Sequence, residues 1–125
     1  MKSLRSKLRA LLDRKFSIIC RYLWPECPWH VEFVQATECF HFLHRGKEST
    51  RWHFGNAVAS CWQCNRRYED DAEFAAYVKR WYIAKFGQEK WNENERIGNR
   101  PALFSLYDLQ QRNKALDLIL GAMYV

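Results

Sequence analysis

Two short pairs of metal-ligand residues constrain this 125-residue chain more than anything else in it. They are Cys27-Pro-Trp-His30 and Cys61-Trp-Gln-Cys64, separated by 30 residues. A gap of two residues fits a tight knuckle, because the turn aims both side chains at one ion. Two knuckles complete a tetrahedron of soft sulfur and nitrogen donors, the set that suits Zn(II). Cys20 and Cys39 are the rivals to His30 for the fourth position. A closed four-ligand zinc does no chemistry by itself, so any catalysis needs a second site.

The remaining cysteine usage agrees with a metal. Five cysteines make an awkward disulfide framework, and no secretory signal precedes them. A reducing, cytoplasmic compartment is the expectation, where clustered cysteines bind metal. Hydrophobic residues at 48% and aromatics at 16% exclude a disordered tail. No apolar run approaches the ~20 residues of a membrane span. The length predicts one domain over residues 1–125.

Charge is distributed unevenly. Residues 1–67 carry a net +7 and residues 68–125 a net −1. A basic front half suits a polyanion, nucleic acid first and an anionic membrane second. Residues 1–24 read as a basic amphipathic helix. Leu4, Leu8, Leu11, Leu12, Phe16, Ile19 and Leu23 form its apolar stripe, Asp13 is the only acid of residues 2–21, and Pro25 ends it. Cys20 falls on the apolar side and is expected in the core.

Further along, residues 31–42 read as extended, 43–56 as a loop, and 57–60 as a short apolar stretch into the second knuckle. A helix starts near Asp70 or Asp71 and stops at Gly87. Residues 88–100 read as a polar connection with a helical turn around Trp91. Ser105 and Asp108 form a capping pair for a last helix with Leu106, Leu109, Leu116, Ile119, Leu120 and Met123 on its stripe. Trp24, Trp29, Trp52, Trp62, Trp81 and Trp91 are expected to pack, and His53 to lie at the surface. The fold class is α+β, mostly helical.

The order knuckle, strand, His, loop, Asn, knuckle, Asn, helix resembles the HNH or ββα-metal nucleases over residues 10–95. Its nearest likeness is to the NinG/Rap family of phage recombination endonucleases, and more distantly to phage endonuclease VII-type resolvases. The residues that carry it are Val34-Gln35-Ala36, His41-Phe42 with Arg45, Thr50-Arg51-Trp52 leading to Asn56, and Cys61-x-x-Cys64-Asn65. The Phe74 to Gly87 segment follows.

The resemblance implies a zinc-stapled ββα-metal core over residues 25–87, with a helical extension over 88–125. It implies His41 as general base and Asn56 as the residue orienting the loop that carries the base. Asn65 falls on a ligand of the catalytic Mg(II) or Mn(II). Two departures accompany it. Phe40 stands where many members have a metal-binding Asp, which leaves Glu38 or His44 to supply the missing ligand. The first knuckle is C-x2-H rather than C-x2-C.

Arg45, Lys47, Arg51, Arg66 and Arg67 are the expected nucleic-acid contacts, holding the backbone rather than reading sequence. The resemblance further implies metal-dependent hydrolysis of DNA, duplex or branched, a homodimer as in the resolvases, and a phage or prophage setting in a bacterial cell. The alternative reading is a zinc-knuckle DNA-binding module whose nuclease centre has decayed, and a weaker third is a zinc-stapled protein-interaction domain.

Overall fold

The first helix begins where Ser3 caps it, its side chain accepting from the Ser6 backbone N–H at 3.1 Å. This helix, α1, spans Leu4–Leu23 and buries Leu12, Phe16, Ile19 and Cys20, steps of three and four that form one stripe. The computed structural model describes residues 2–100 and 103–123. Within them the element order is α1, β1 (Glu38–His41), α2 (Glu48–Arg51), a 3-10 turn (Phe54–Asn56), β2 (Ala57–Ser60), α3 (Trp62–Asp70), α4 (Ala72–Phe86), α5 (Gln88–Gly98) and α6 (Leu106–Met123). The chain is α+β and mostly helical.

β1 and β2 pair antiparallel, with Glu38 opposite Ser60 and His41 opposite Ala57. Alternation along these strands sorts the core onto two faces. Ala57 and Ala59 join Leu12, Phe16, Ile19, Leu109 and Leu116, so α1 and α6 cover one face. Phe40, Phe42 and Val58 join Cys27, Cys61, Cys64, Phe74, Val78, Tyr82 and Trp91 on the other. The small side chains of β2 let α1 lie close on the hairpin. The second face is aromatic: Phe42 meets Tyr82 at 4.7 Å and Trp29 meets Phe40 at 4.6 Å between ring centroids.

Several sequence expectations need correction. The extended segment 31–42 contributes only Glu38–His41 as a strand, preceded by a single bridge between Glu26 and Gln35. The loop 43–56 contains α2 and the 3-10 turn. Residues 62–70 form a helix, α3, that the sequence reading lacks, because this stretch is short and polar: Cys64 is its one buried residue. Asn65 therefore lies inside a helix.

Residues 88–100 are an 11-residue helix rather than a connection. It buries Trp91, Asn94 and Gly98, a helical spacing that hydrophobicity does not reveal because two of the three are not apolar. Gly87 makes the corner before it with φ 101°, a backbone conformation that side chains resist. His53 is half-buried rather than on the surface.

Other expectations hold. Asp71 caps α4, accepting from Glu73 at 3.0 Å and Phe74 at 3.1 Å. Ser105 and Asp108 exchange backbone-to-side-chain hydrogen bonds at 3.1 and 3.2 Å, a reciprocal cap on α6. Cys20 is buried in the core, and Trp52 and Trp91 are buried too. Trp62 departs from the expected packing: it is 52% exposed, with the Arg66 guanidinium 5.8 Å from its ring. No helix among the described residues is long and apolar enough to cross a membrane.

Candidate metal centre and the cleft beside it

The first knuckle is shaped by the bridge between Glu26 and Gln35, reinforced by the Cys27 N–H donating to the Val34 carbonyl at 2.7 Å. The second is shaped by the end of β2 and the first turn of α3, where Cys61 is the N-cap. Cys27, His30, Cys61 and Cys64 converge, with one ligand atom from each lying within 4.8 Å of all the others. His30 Nε2 is 3.3 Å from both Cys61 Sγ and Cys64 Sγ. A tetrahedral zinc with three sulfurs and one nitrogen needs ligand separations of about 3.5–3.8 Å, so this donor set fits a structural zinc. The three cysteines are buried and the histidine is exposed.

The cluster also decides among the cysteines. Cys20 and Cys39 are not part of it. Cys20 lies against Cys39, and the hydrogen bond between them together with burial pushes the Cys20 thiol up. Burial raises Cys27 and Cys64 as well. Burial also acts on Cys61, but hydrogen bonds from the Cys64 backbone and His30 outweigh it and bring that thiol down to about 7. A cation held by all three sulfurs would favour the thiolate at each.

Beside the hairpin lies a cleft of about 770 Å³. α1 lines it with Asp13, Phe16, Ser17 and Arg21. β1 and the residue before it contribute Thr37, Glu38, Cys39 and His41. His44 and Arg45 follow, and α3 closes it with Asn65, Tyr68 and Glu69. His41, Glu38, Asn65, His44 and Arg45 were named from the sequence, and the fold brings these five to one place.

His41 is half-buried, and its ring stacks on Phe16 at 5.9 Å. Its Nε2 is 2.8 Å from the Arg51 carbonyl oxygen. A carbonyl only accepts, so Nε2 carries the proton and Nδ1 is left as the basic nitrogen. Burial is the largest influence on this imidazole and holds its pKa below 6.5. It is therefore neutral at physiological pH.

Asn56 lies wholly inside the protein. Its Oδ1 accepts from the Leu43 N–H at 2.8 Å, while Nδ2 donates to the carbonyls of Leu43 at 3.1 Å and Thr50 at 3.2 Å. It ties the start of the β1–β2 connection to α2. Glu38 accepts from Asn65 Nδ2 at 2.8 Å, so the end of Asn65 left for a cation is the hard oxygen Oδ1. Phe40 is fully buried, with Tyr68 at 4.8 Å, so β1 turns Phe40 and Glu38 alike toward α3. His44 Nδ1 accepts from the Gly46 N–H at 3.0 Å.

The basic residues divide. Arg45 faces the cleft. Arg51 is paired with Asp13 at 2.6 Å, and Lys47 donates to Asn99 at 2.9 Å. Arg67 is paired with Asp71 at 3.0 Å, and Arg66 lies over Trp62. Asp13, Arg21 and Tyr68 were missed as cleft residues. The isolated acid at position 13 was visible in the sequence, but nothing along the chain says that its helix crosses β1. Comparison with protein-family models, curated proteins and solved structures finds no match.

Proposed function

We propose that the chain is a zinc-stapled, Mg(II)- or Mn(II)-dependent endonuclease of the HNH type that hydrolyses phosphodiester bonds in DNA, branched recombination intermediates included. The observation that carries this reading is His41. It is a neutral imidazole with its tautomer fixed by a backbone carbonyl, in a cleft that also holds a carboxylate, an amide oxygen and an arginine. The order β1, β2, α3, with Asn56 before β2 and Asn65 in α3, supports the ββα reading.

In this reading Glu38 and Asn65 Oδ1 would hold the cation, with His44 as a further donor. When bound, the cation would withdraw charge from the phosphoryl and leaving oxygens. His41 Nδ1 takes a proton from a water as that water's oxygen bonds to phosphorus. The bond from phosphorus to the opposite oxygen breaks, and that oxygen takes a proton from solvent. Arg45 and Arg21 hold flanking phosphates in register. Asn56 keeps the connection that carries the Arg51 carbonyl in place, and so keeps the base aimed.

A second reading is a DNA-binding module that does not cut. Phe40 favours it: the position before the base is packed into the aromatic core, so only Glu38 supplies a carboxylate from β1. Supercoiled plasmid and a four-way junction, incubated with Mg(II), Mn(II) or EDTA, separate the two. Metal-dependent cutting that vanishes in His41→Ala, with zinc content and DNA retention unchanged, is the expected result. Cutting by His41→Ala at the wild-type rate would remove His41 as the base. Retarded but uncut DNA with both proteins would leave the binding module.

A further inference from the structure

We infer that Asp13 is a positioning residue for His41: from α1 it clamps the peptide whose carbonyl sets the histidine's tautomer. The consequence for rate rests on the nuclease reading, whereas the consequence for the imidazole does not.

The acceptor of the His41 Nε2 proton is the carbonyl of the Arg51–Trp52 peptide. The side chains on both sides of that peptide end on one carboxylate. Asp13 Oδ1 accepts from Arg51 Nε at 3.0 Å and from Trp52 Nε1 at 2.9 Å, and Oδ2 accepts from Arg51 Nη2 at 2.6 Å. A guanidinium fork on a carboxylate fixes direction as well as distance. With both flanking side chains held, the peptide plane between them has little freedom to turn. Its oxygen lies at the end of the four-residue helix α2, where a carbonyl has no partner of its own to satisfy.

The carboxylate is the group this position needs. Arg45 Nη1 also approaches Asp13, at 3.8 Å, so the side chains gathered here are all donors. An aspartate only accepts, whereas an asparagine would turn an N–H toward one of them. Position 13 is the only acid of residues 2–21, in the segment best suited to meet a polyanion. A negative charge lining the cleft there works against phosphate binding, and the clamp gives it a purpose.

The test is the tautomer of His41, read by imidazole nitrogen NMR of full-length, zinc-loaded protein at about pH 8, where a histidine is neutral. Wild type is expected to show Nε2–H alone. Asp13→Asn, with its zinc content and cooperative unfolding kept, is expected to show both tautomers. On plasmid its kcat should fall about 10–100-fold, with KM within about twofold.

Should Asp13→Asn fail to fold, Arg51→Lys keeps the charge but loses the fork, and the same mixture is expected from it. A single Nε2–H tautomer in whichever variant folds would overturn the inference. A mixed tautomer in a variant whose wild type cuts nothing would uphold the clamp and defeat the nuclease reading instead.

Discussion

Asn94 Nδ2 donates to Asn56 Oδ1 at 2.8 Å, and neither side chain reaches solvent. A helix far along the chain thus braces the residue that staples the β1–β2 connection. The two partners contribute unequally. Asn56 makes three further hydrogen bonds to backbone, whereas Asn94 Oδ1 is buried with no partner among the described residues. Asn56→Ala would leave the Leu43 N–H, the Leu43 carbonyl and Asn94 Nδ2 without their partner and is expected to cost about 3 kcal/mol or more. Asn94→Ala gives up one bond and also removes an unsatisfied oxygen, so about 1 kcal/mol is expected. Urea unfolding of the two variants checks the order, and an equal loss would mean the brace matters as much as the staple.

Zinc removal is expected to unfold the aromatic face of the hairpin. Three of the four ligands belong to that core cluster, and the ligands join the 26–35 turn to the start of α3. Purified protein should carry one zinc per chain, and Cys64→Ser should lower that content. Far-ultraviolet dichroism should show lost helix on chelation. A chain that keeps its full helical signal and melting temperature without zinc would argue that the staple is dispensable.

Glu48 is a buried carboxylate that accepts from Arg9 Nε at 2.6 Å and from the Phe104 N–H at 2.7 Å. It joins α2 to α1 and to the segment leading into α6. Glu48→Ala leaves both donors short of their partner and should cost about 3 kcal/mol, because breaking a buried pair exceeds the worth of the pair. The denaturant midpoint should fall while the zinc content stays the same.

Acid is expected to destabilise the fold through two histidines. Burial holds both His41 and His53 below 6.5 in the folded protein. The hydrogen bond to the Arg51 carbonyl, and after it the Asp13 charge, pull His41 the other way, while the charges of Arg45 and Arg51 reinforce the depression. The unfolded chain therefore binds more protons as the pH falls through 6.5 toward the depressed values. Stability contributed by these groups is full above 6.5 and lost on acidification. His53→Asn should flatten the dependence of the urea midpoint on pH in that window. A slope unchanged by this substitution would remove His53 as a contributor.

On the DNA-binding reading, removing Arg21 and Arg45 together should weaken duplex binding and reduce the slope of log affinity against log salt by about 2. Arg67→Ala should leave the slope unchanged, because Arg67 is engaged with Asp71 and lies outside the cleft lining. Titrations at three salt concentrations decide this. Equal effects from both substitutions would point to a diffuse basic surface rather than a cleft.

The features that can be read along the chain are those written in neighbouring residues. The knuckles, the caps at Asp71 and Ser105, and the stripe of α1 each depend on spacings of two to four residues, which local backbone geometry fixes directly. The family resemblance implied one site for His41, Glu38 and Asn65, and all three line one cleft. Tertiary structure alone decided the rest. α3 and α5 are polar in sequence and bury few or non-apolar residues, so too little hydrophobic side chain lies along them to mark a core-facing helix. Asp13 meets Arg51 and Trp52 from 38 and 39 residues away. Only the packing of α1 across the small side chains of β2 brings that acid to the peptide that holds His41.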